Sequence, residues 1–129
     1  MDTAAAHDLR AAAIGQISIV VRDLARATAC YRDQLGLRLL MEFPGLAFFD
    51  CGGVRLMLGS AEQPEHDHPP SVLYFRVPDL AAAHATLGER GIRFESEPHL
   101  IAKLPDHELW MAFFRDSEDN VLALMSEIR

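Results

Sequence analysis

The sequence predicts an α+β protein made of two tandem βαβββ modules. Three observations carry this prediction. Short runs alternate apolar and polar residues with the period of a strand. Twice, an Asp-Leu step switches that period to the spacing of a helix. The second half of the chain then repeats the first at a nearly constant offset.

The first run is Ile14–Val21, where Ile17, Ile19 and Val21 alternate with Gln16, Ser18 and Val20. Leu24, Ala27, Tyr31 and Leu35 then fall on one helical face, with Asp23 placed to cap the first turn and Gly36 to end the last. Three strands follow at Leu37–Phe43, Leu46–Cys51 and Val54–Gly59, separated by the turn formers Pro44-Gly45 and Gly52-Gly53. Residues 60–71 are polar and proline-rich and read as a linker. Beyond it come a strand at Val72–Val77, a helix at Leu80–Arg90 capped by Asp79 and closed by Gly91, and strands at Ile92–Glu95, Trp110–Arg115 and Val121–Glu127. Asp119-Asn120 suits the left-handed turn of the last hairpin.

The repeat places Val21–Ala25 against Val77–Ala81, 56 positions on, and Leu56–Leu58 against Leu122–Leu124, 66 positions on. The closing glycines, Gly36 and Gly91, differ by 55, a one-residue gap. The growth of the offset predicts an insertion of about ten residues at Glu97–Glu108. The chain therefore divides into a tail (1–13), a first module (14–59), the linker (60–71) and a second module (72–127), with 14–129 forming a single domain. One module covers only one face of its sheet with a helix, so the two must pair.

At 129 residues and 14.3 kDa, with 50% hydrophobic and 24% charged residues, this is the balance of one globular domain. Twelve basic against 19 acidic residues give a net charge of −7, which argues against nucleic-acid and anionic-lipid partners. No apolar run is long enough to span a membrane. Cys30 and Cys51 read as reduced thiols of a cytoplasmic protein, and the N-terminal tail lacks the pattern of a signal peptide.

The doubled module, the Val-x-Asp-Leu step, Tyr31…Leu35-Gly36-Leu37 and Phe114-Arg-Asp116-Ser-Glu-Asp-Asn120 together resemble the vicinal oxygen chelate superfamily, which includes glyoxalase I, bleomycin-resistance proteins and extradiol dioxygenases. The resemblance covers Ile14–Glu127. It implies sheets that curl around a shared cavity with the helices on the outer faces, a homodimer, and a divalent metal held by His, Gln or Glu from the first and fourth strands of each module. The matching positions here are Gln16, Met57, Val72 and Ala123. Only Gln16 is a ligand for such a metal, and a shift by two residues brings in Arg55 or Tyr74, which are no better. The expectation is a site without metal or other cofactor.

Strand parity puts Gln16, Ser18, Arg55, Met57, Val72, Tyr74, Arg76, Ala123 and Met125 on the cavity side. Arg55 and Arg76 fit a ligand with an acidic group; the competing reading pairs them with Glu42 or Glu95 or leaves them in solvent. Trp110 is either a cavity wall or plain core. His66-Asp67-His68 reads as a solvated loop. The insertion carries His99, Lys103, Asp106, His107 and Glu108; His107 and Glu108 are candidates for acid–base work, or a solvated edge. The favoured reading is a glyoxalase- and bleomycin-resistance-like protein that binds a small organic molecule without metal. The alternatives are a metal-dependent lyase, isomerase or dioxygenase that combines Gln16 with donors from the insertion, and a module whose pairing surface, not its cavity, matters.

Overall fold

The computed structural model describes residues 8–60 and 68–129. His66 and Asp67 lie outside them. Two four-stranded sheets carry the repeat. In the first module, β1 (Gln16–Val20) is followed by α1 (Leu24–Ala29), β2 (Arg38–Phe43), β3 (Leu46–Cys51) and β4 (Val54–Gly59), in the spatial order β1-β4-β3-β2. In the second, β5 (Leu73–Arg76), α2 (Leu80–Glu89), β6 (His99–Lys103), β7 (Glu108–Arg115) and β8 (Val121–Ile128) adopt the order β5-β8-β7-β6. The first and last strands of each module are parallel, because the chain crosses over through the helix; the others are antiparallel hairpins.

Both helices begin as expected. Asp23 accepts from the Arg26 amide at 3.1 Å and Asp79 from the Ala82 amide at 3.0 Å. After Ala29 the first helix continues through Cys30–Gln34 in a wider turn, with the Leu35 amide donating to the Cys30 carbonyl five residues back. A turn of that width absorbs one extra residue. It accounts for the one-residue gap between the closing glycines. Gly36 and Gly91 both take the positive φ that ends a helix, at 79° and 91°. Asp119 takes the left-handed turn position, at φ 64°.

Two predicted elements are corrected. Ile92–Glu95 is not a strand: it makes only an isolated bridge, Phe94 to Phe114, and the Glu95 amide donates to the Phe113 carbonyl at 2.8 Å. The second strand of this module is β6, inside the predicted insertion. It pairs with β7 across a turn closed by the Leu104 amide and the His107 carbonyl. Leu100 stands opposite Trp110, whereas Phe94 stands opposite Phe114 as Leu39 stands opposite Phe49, so the counterpart of β2 starts at the Phe94 bridge, inside the predicted Ile92–Glu95, and is carried on by β6. The extra residues are thus spread over the approach to β6, the longer β6–β7 turn and the start of β7, and do not form a single excursion. The sequence hid this because Leu100, Ile101 and Ala102 lie among titratable residues that read as loop.

Ile19, Ala47, Phe49, Leu56 and Leu58 cover the helix side of the first sheet, and Ala112, Phe114, Leu122 and Leu124 that of the second; all are buried and belong to one core cluster. The two modules meet on these helix-covered sides. The Tyr31 hydroxyl, at the widened turn, donates to Asp116 Oδ2 at 2.6 Å. Asp116 also accepts from the Glu118 and Asn120 amides and from Asn120 Nδ2. Glu118 in turn accepts from the Arg22 and Asp23 amides, at 2.7 and 3.1 Å. Gln34 Nε2 donates to the Arg90 carbonyl at 3.0 Å.

Removing the Asp116 carboxylate orphans four donors in a buried turn, so Asp116→Ala is expected to lose roughly 3 kcal/mol or more in urea unfolding, and Tyr31→Phe about 1.5–3 kcal/mol. Burial pushes the Tyr31 phenol well above its usual range, and the Asp116 charge and hydrogen bond push it further. The unfolded phenol ionises near pH 10 while the folded one keeps its proton. Its contribution is therefore intact below pH 10 and lost as pH rises beyond it, at up to about 1.4 kcal/mol per pH unit. The unfolding midpoint of Tyr31→Phe should fall less steeply there than that of the native chain; parallel curves would refute this origin.

Candidate functional site

Each sheet has one face without a helix, and most of the predicted ligand-binding residues divide between these two open faces. On the first sheet, register aligns Gln16 with Arg55, Ser18 with Met57, and Met57 in turn with Phe48. Arg55 Nε donates to Gln16 Oε1 at 2.8 Å, and the guanidinium carbon stands 5.3 Å from the centre of the Phe48 ring. Gln16 Nε2 lies 3.8 Å from Met57 Sδ. Phe43 meets Phe48 edge-on, with centroids 6.1 Å apart. Parity thus brings Gln16, Arg55 and Met57 into one cluster, and Phe48 completes it.

On the second sheet, Tyr74, Ala123 and Phe113 form a row across β5, β8 and β7. The small side chain of Ala123 lets the flanking rings approach across the middle strand. Tyr74 and Phe113 meet nearly perpendicular, centroids 6.1 Å apart, and Ala123 beneath them is fully buried. The His99 ring lies 6.3 Å from Phe113. Arg76 stands next to Met125 and pairs loosely with Glu127, at 3.5 Å. Val72 precedes β5 and is exposed. The correspondences hold in three dimensions: Ser18 pairs with Met57 as Tyr74 pairs with Ala123.

Trp110 is not on this face. It shares the parity of Ala112 and Phe114 and packs against the core cluster, so its placement as a cavity wall is corrected. Glu108 shares that parity and accepts from the Trp110 indole nitrogen at 3.1 Å. His107 lies in the turn just before β7, with Nδ1 2.7 Å from Asp106 Oδ1. Asp106 also accepts from Arg129 at 2.9 Å, and its carboxyl is held below the usual range, first by His107 and then by Arg129. The acid–base candidates are therefore tied to neighbours at the end of the sheet. Among the described residues, no three His, Cys, Asp or Glu side chains come together as a metal nest. The pairings weighed for the arginines differ too: Arg55 engages Gln16 and Arg76 engages Glu127, while Glu95 is taken by Arg115 at 2.7 Å.

Phe48 and Phe113 are the site residues missed from the sequence. Both could have been found by extending parity to the third strand of each module, where they alternate with the buried Phe49 and Phe114. Burial raises both thiols, Cys30 and Cys51, above the usual range.

Among the described residues, the polar and ring contacts named above stay within one sheet on each open face. Tyr74 remains 48% exposed and Phe43 52%. The two open faces are thus separate surfaces of one chain, since the modules join through their helix sides.

Known proteins share this architecture. The structure of a lactoylglutathione lyase from Agrobacterium tumefaciens superposes with a TM-score of 0.71 at 23% identity, covering 91% of this chain and 95% of that one. TnmS3, an antibiotic binding protein from Streptomyces sp. CB03234, gives 0.72 at 25% identity, covering 93% and 99%. The uncharacterized protein YraH of Bacillus subtilis (strain 168) is 27% identical over 84% of this chain and 94% of its own length. The family model of the glyoxalase/bleomycin resistance protein/dioxygenase superfamily matches residues 13–124, and the chain belongs to that superfamily.

Proposed function

We propose that this protein binds a small planar, acidic organic molecule without a metal, in cavities completed by a second copy of the chain. The observation that carries the metal-free reading is the Arg55 guanidinium on Gln16 Oε1. The only metal-ligand type among Gln16, Met57, Val72 and Ala123 already has its oxygen engaged by a fixed cation. A divalent ion there would have to displace that cation or bear its repulsion, with a thioether and two hydrocarbon side chains as the remaining neighbours.

The same arginine suits a different task. It lies over Phe48, half desolvated by the ring, and has nitrogens left to meet a carboxylate or phenolate. Tyr74 and Phe113 offer a crossed aromatic wall for a flat ring system. The composition, apolar walls with a few oriented polar groups, is that of a small-molecule site. The antibiotic-binding relative TnmS3 supports this class of ligand.

Each open face is half a cavity. Exposed Tyr74, Phe43 and Met41 leave an apolar surface of the kind that marks association. With the helix sides joined inside the chain, a second copy supplies the opposite wall: the first sheet of one copy faces the second sheet of the other. The product is a homodimer with two equivalent sites.

Purified protein should hold far less than one equivalent of Ni, Zn, Fe or Mn per chain by elemental analysis; a stoichiometric metal that survives dialysis would overturn the metal-free reading. Sedimentation equilibrium should return twice 14.3 kDa. A monomer at micromolar concentration would sink the shared cavity. In a thermal-shift screen of planar aromatic acids, hits should weaken at least about tenfold in both Arg55→Ala and Tyr74→Ala, one from each wall.

A further inference from the structure

The internal repeat gives the junction between modules two clefts in corresponding places, and they differ. The first runs along α1: Tyr31 and Asp116 bridge the two modules beneath it, and it is a cleft of about 860 Å³ with charged and polar walls that include Arg26, Asp33, Gln34, Arg93 and Arg115. The second runs along α2. Its counterpart of Tyr31 is Leu87: the Leu37 amide donates to the Tyr31 carbonyl and the Ile92 amide to the Leu87 carbonyl, both at 3.0 Å. Its counterpart of Asp116 is Cys51, each lying two residues beyond the buried Phe49 or Phe114. A phenol bridged to a carboxylate on one side is thus replaced by an isobutyl group and a thiol on the other. Neither spans the gap. Arg26 of the first cleft is likewise replaced by Ala82.

What remains is a cavity of about 500 Å³. Its walls include Leu35, Leu37, Cys51, Phe75, Leu87 and Leu124. At its rim stand Arg90, Arg76 and Asp79. The Asp79 carboxylate is spent on capping α2, and Arg76 reaches Glu127. Arg90 pairs with no carboxylate among the described residues; its Nη1 lies across Gly36, 3.1 Å from where a Cβ would stand. An apolar cavity of this size with one unspent guanidinium at its mouth fits a ligand that has a hydrocarbon body and one anionic end.

We propose that this cleft is a second binding site, separate from the open sheet faces, for an amphipathic carboxylate whose apolar part lies among these side chains and whose carboxylate meets Arg90. The site opens on the junction between modules and shares with the open face only Arg76, whose guanidinium is engaged by Glu127.

The test uses dansyl-labelled undecanoic acid as probe, followed by its fluorescence, together with alkylation of Cys51 by iodoacetamide, read by mass spectrometry. Cys30, 3% exposed, serves as the internal reference. Saturating probe should slow Cys51 alkylation at least about fivefold while Cys30 is unaffected. Cys51→Trp should weaken probe binding at least about tenfold by filling the cavity, and Arg90→Gln about fivefold, with no loss for the matching alcohol. In Tyr74→Ala, on the open face, probe should still protect Cys51. Unchanged alkylation with saturating probe overturns the proposal even if Cys51→Trp fails to fold. Binding that survives Cys51→Trp, or no binding at all, also overturns it. Loss of binding in Tyr74→Ala alone assigns the probe to the open faces and overturns it as well.

Discussion

The junction between the two modules rests on one buried carboxylate. Asp116 sits in the last hairpin, where it gathers two amides and the Asn120 side chain of its own turn and the Tyr31 hydroxyl of the other module. A buried carboxylate is tolerable only when its lone pairs are met by donors, and here they are. The turn is shaped by the same contacts that bind it to the first module. Glu118, two residues on, extends the tie to the amides at the start of α1. Local geometry and module docking are therefore one interaction, and the docking decides which sheet faces stay open.

The repeat explains the architecture, and its departures from symmetry explain the chemistry. Corresponding strands pair in corresponding register, so Ser18–Met57–Phe48 and Tyr74–Ala123–Phe113 form equivalent rows. One row is built around a thioether and lies beside an arginine over a ring; the other is built around a methyl group that lets two rings meet. At the junction, Tyr31 and Asp116 bridge the modules beside a cleft with charged walls, while Leu87 and Cys51 line one whose walls are apolar. Duplicated folds hold the backbone fixed while side chains at equivalent positions diverge, and the differences are where one chain acquires distinct sites.

Much of this was legible in the residues. Helix caps, closing glycines and turn pairs are local, and most of them stand where Asp23, Asp79, Gly36 and Gly91 placed them. Strand parity separated Arg55 and Met57 from Leu56 and Leu58 because a strand's two faces alternate without exception unless a bulge intervenes. It failed for β6. There the apolar run is short, flanked by His99 and Lys103, and its partner strand is set by a turn with no Gly or Pro-Gly signal. The Trp110 alternative settled on the core side because β7 begins at Glu108 and keeps one register from there to Arg115.

The sequence by itself determined the doubled βαβββ plan, the helix ends, the side-chain parity of each sheet and the poverty of metal ligands at Gln16, Met57, Val72 and Ala123. These follow from periodicity and from chemistry carried by single residues. Only the tertiary structure decided that Arg55 occupies the Gln16 oxygen, that the modules join through their helix sides, and that of two corresponding clefts one is walled by charges and the other by hydrocarbon. Each of these joins residues far apart in the chain, such as Gln16 with Arg55, Tyr31 with Asp116, and Leu35 with Leu124. Their distance is fixed by packing, to which local sequence pattern carries no record.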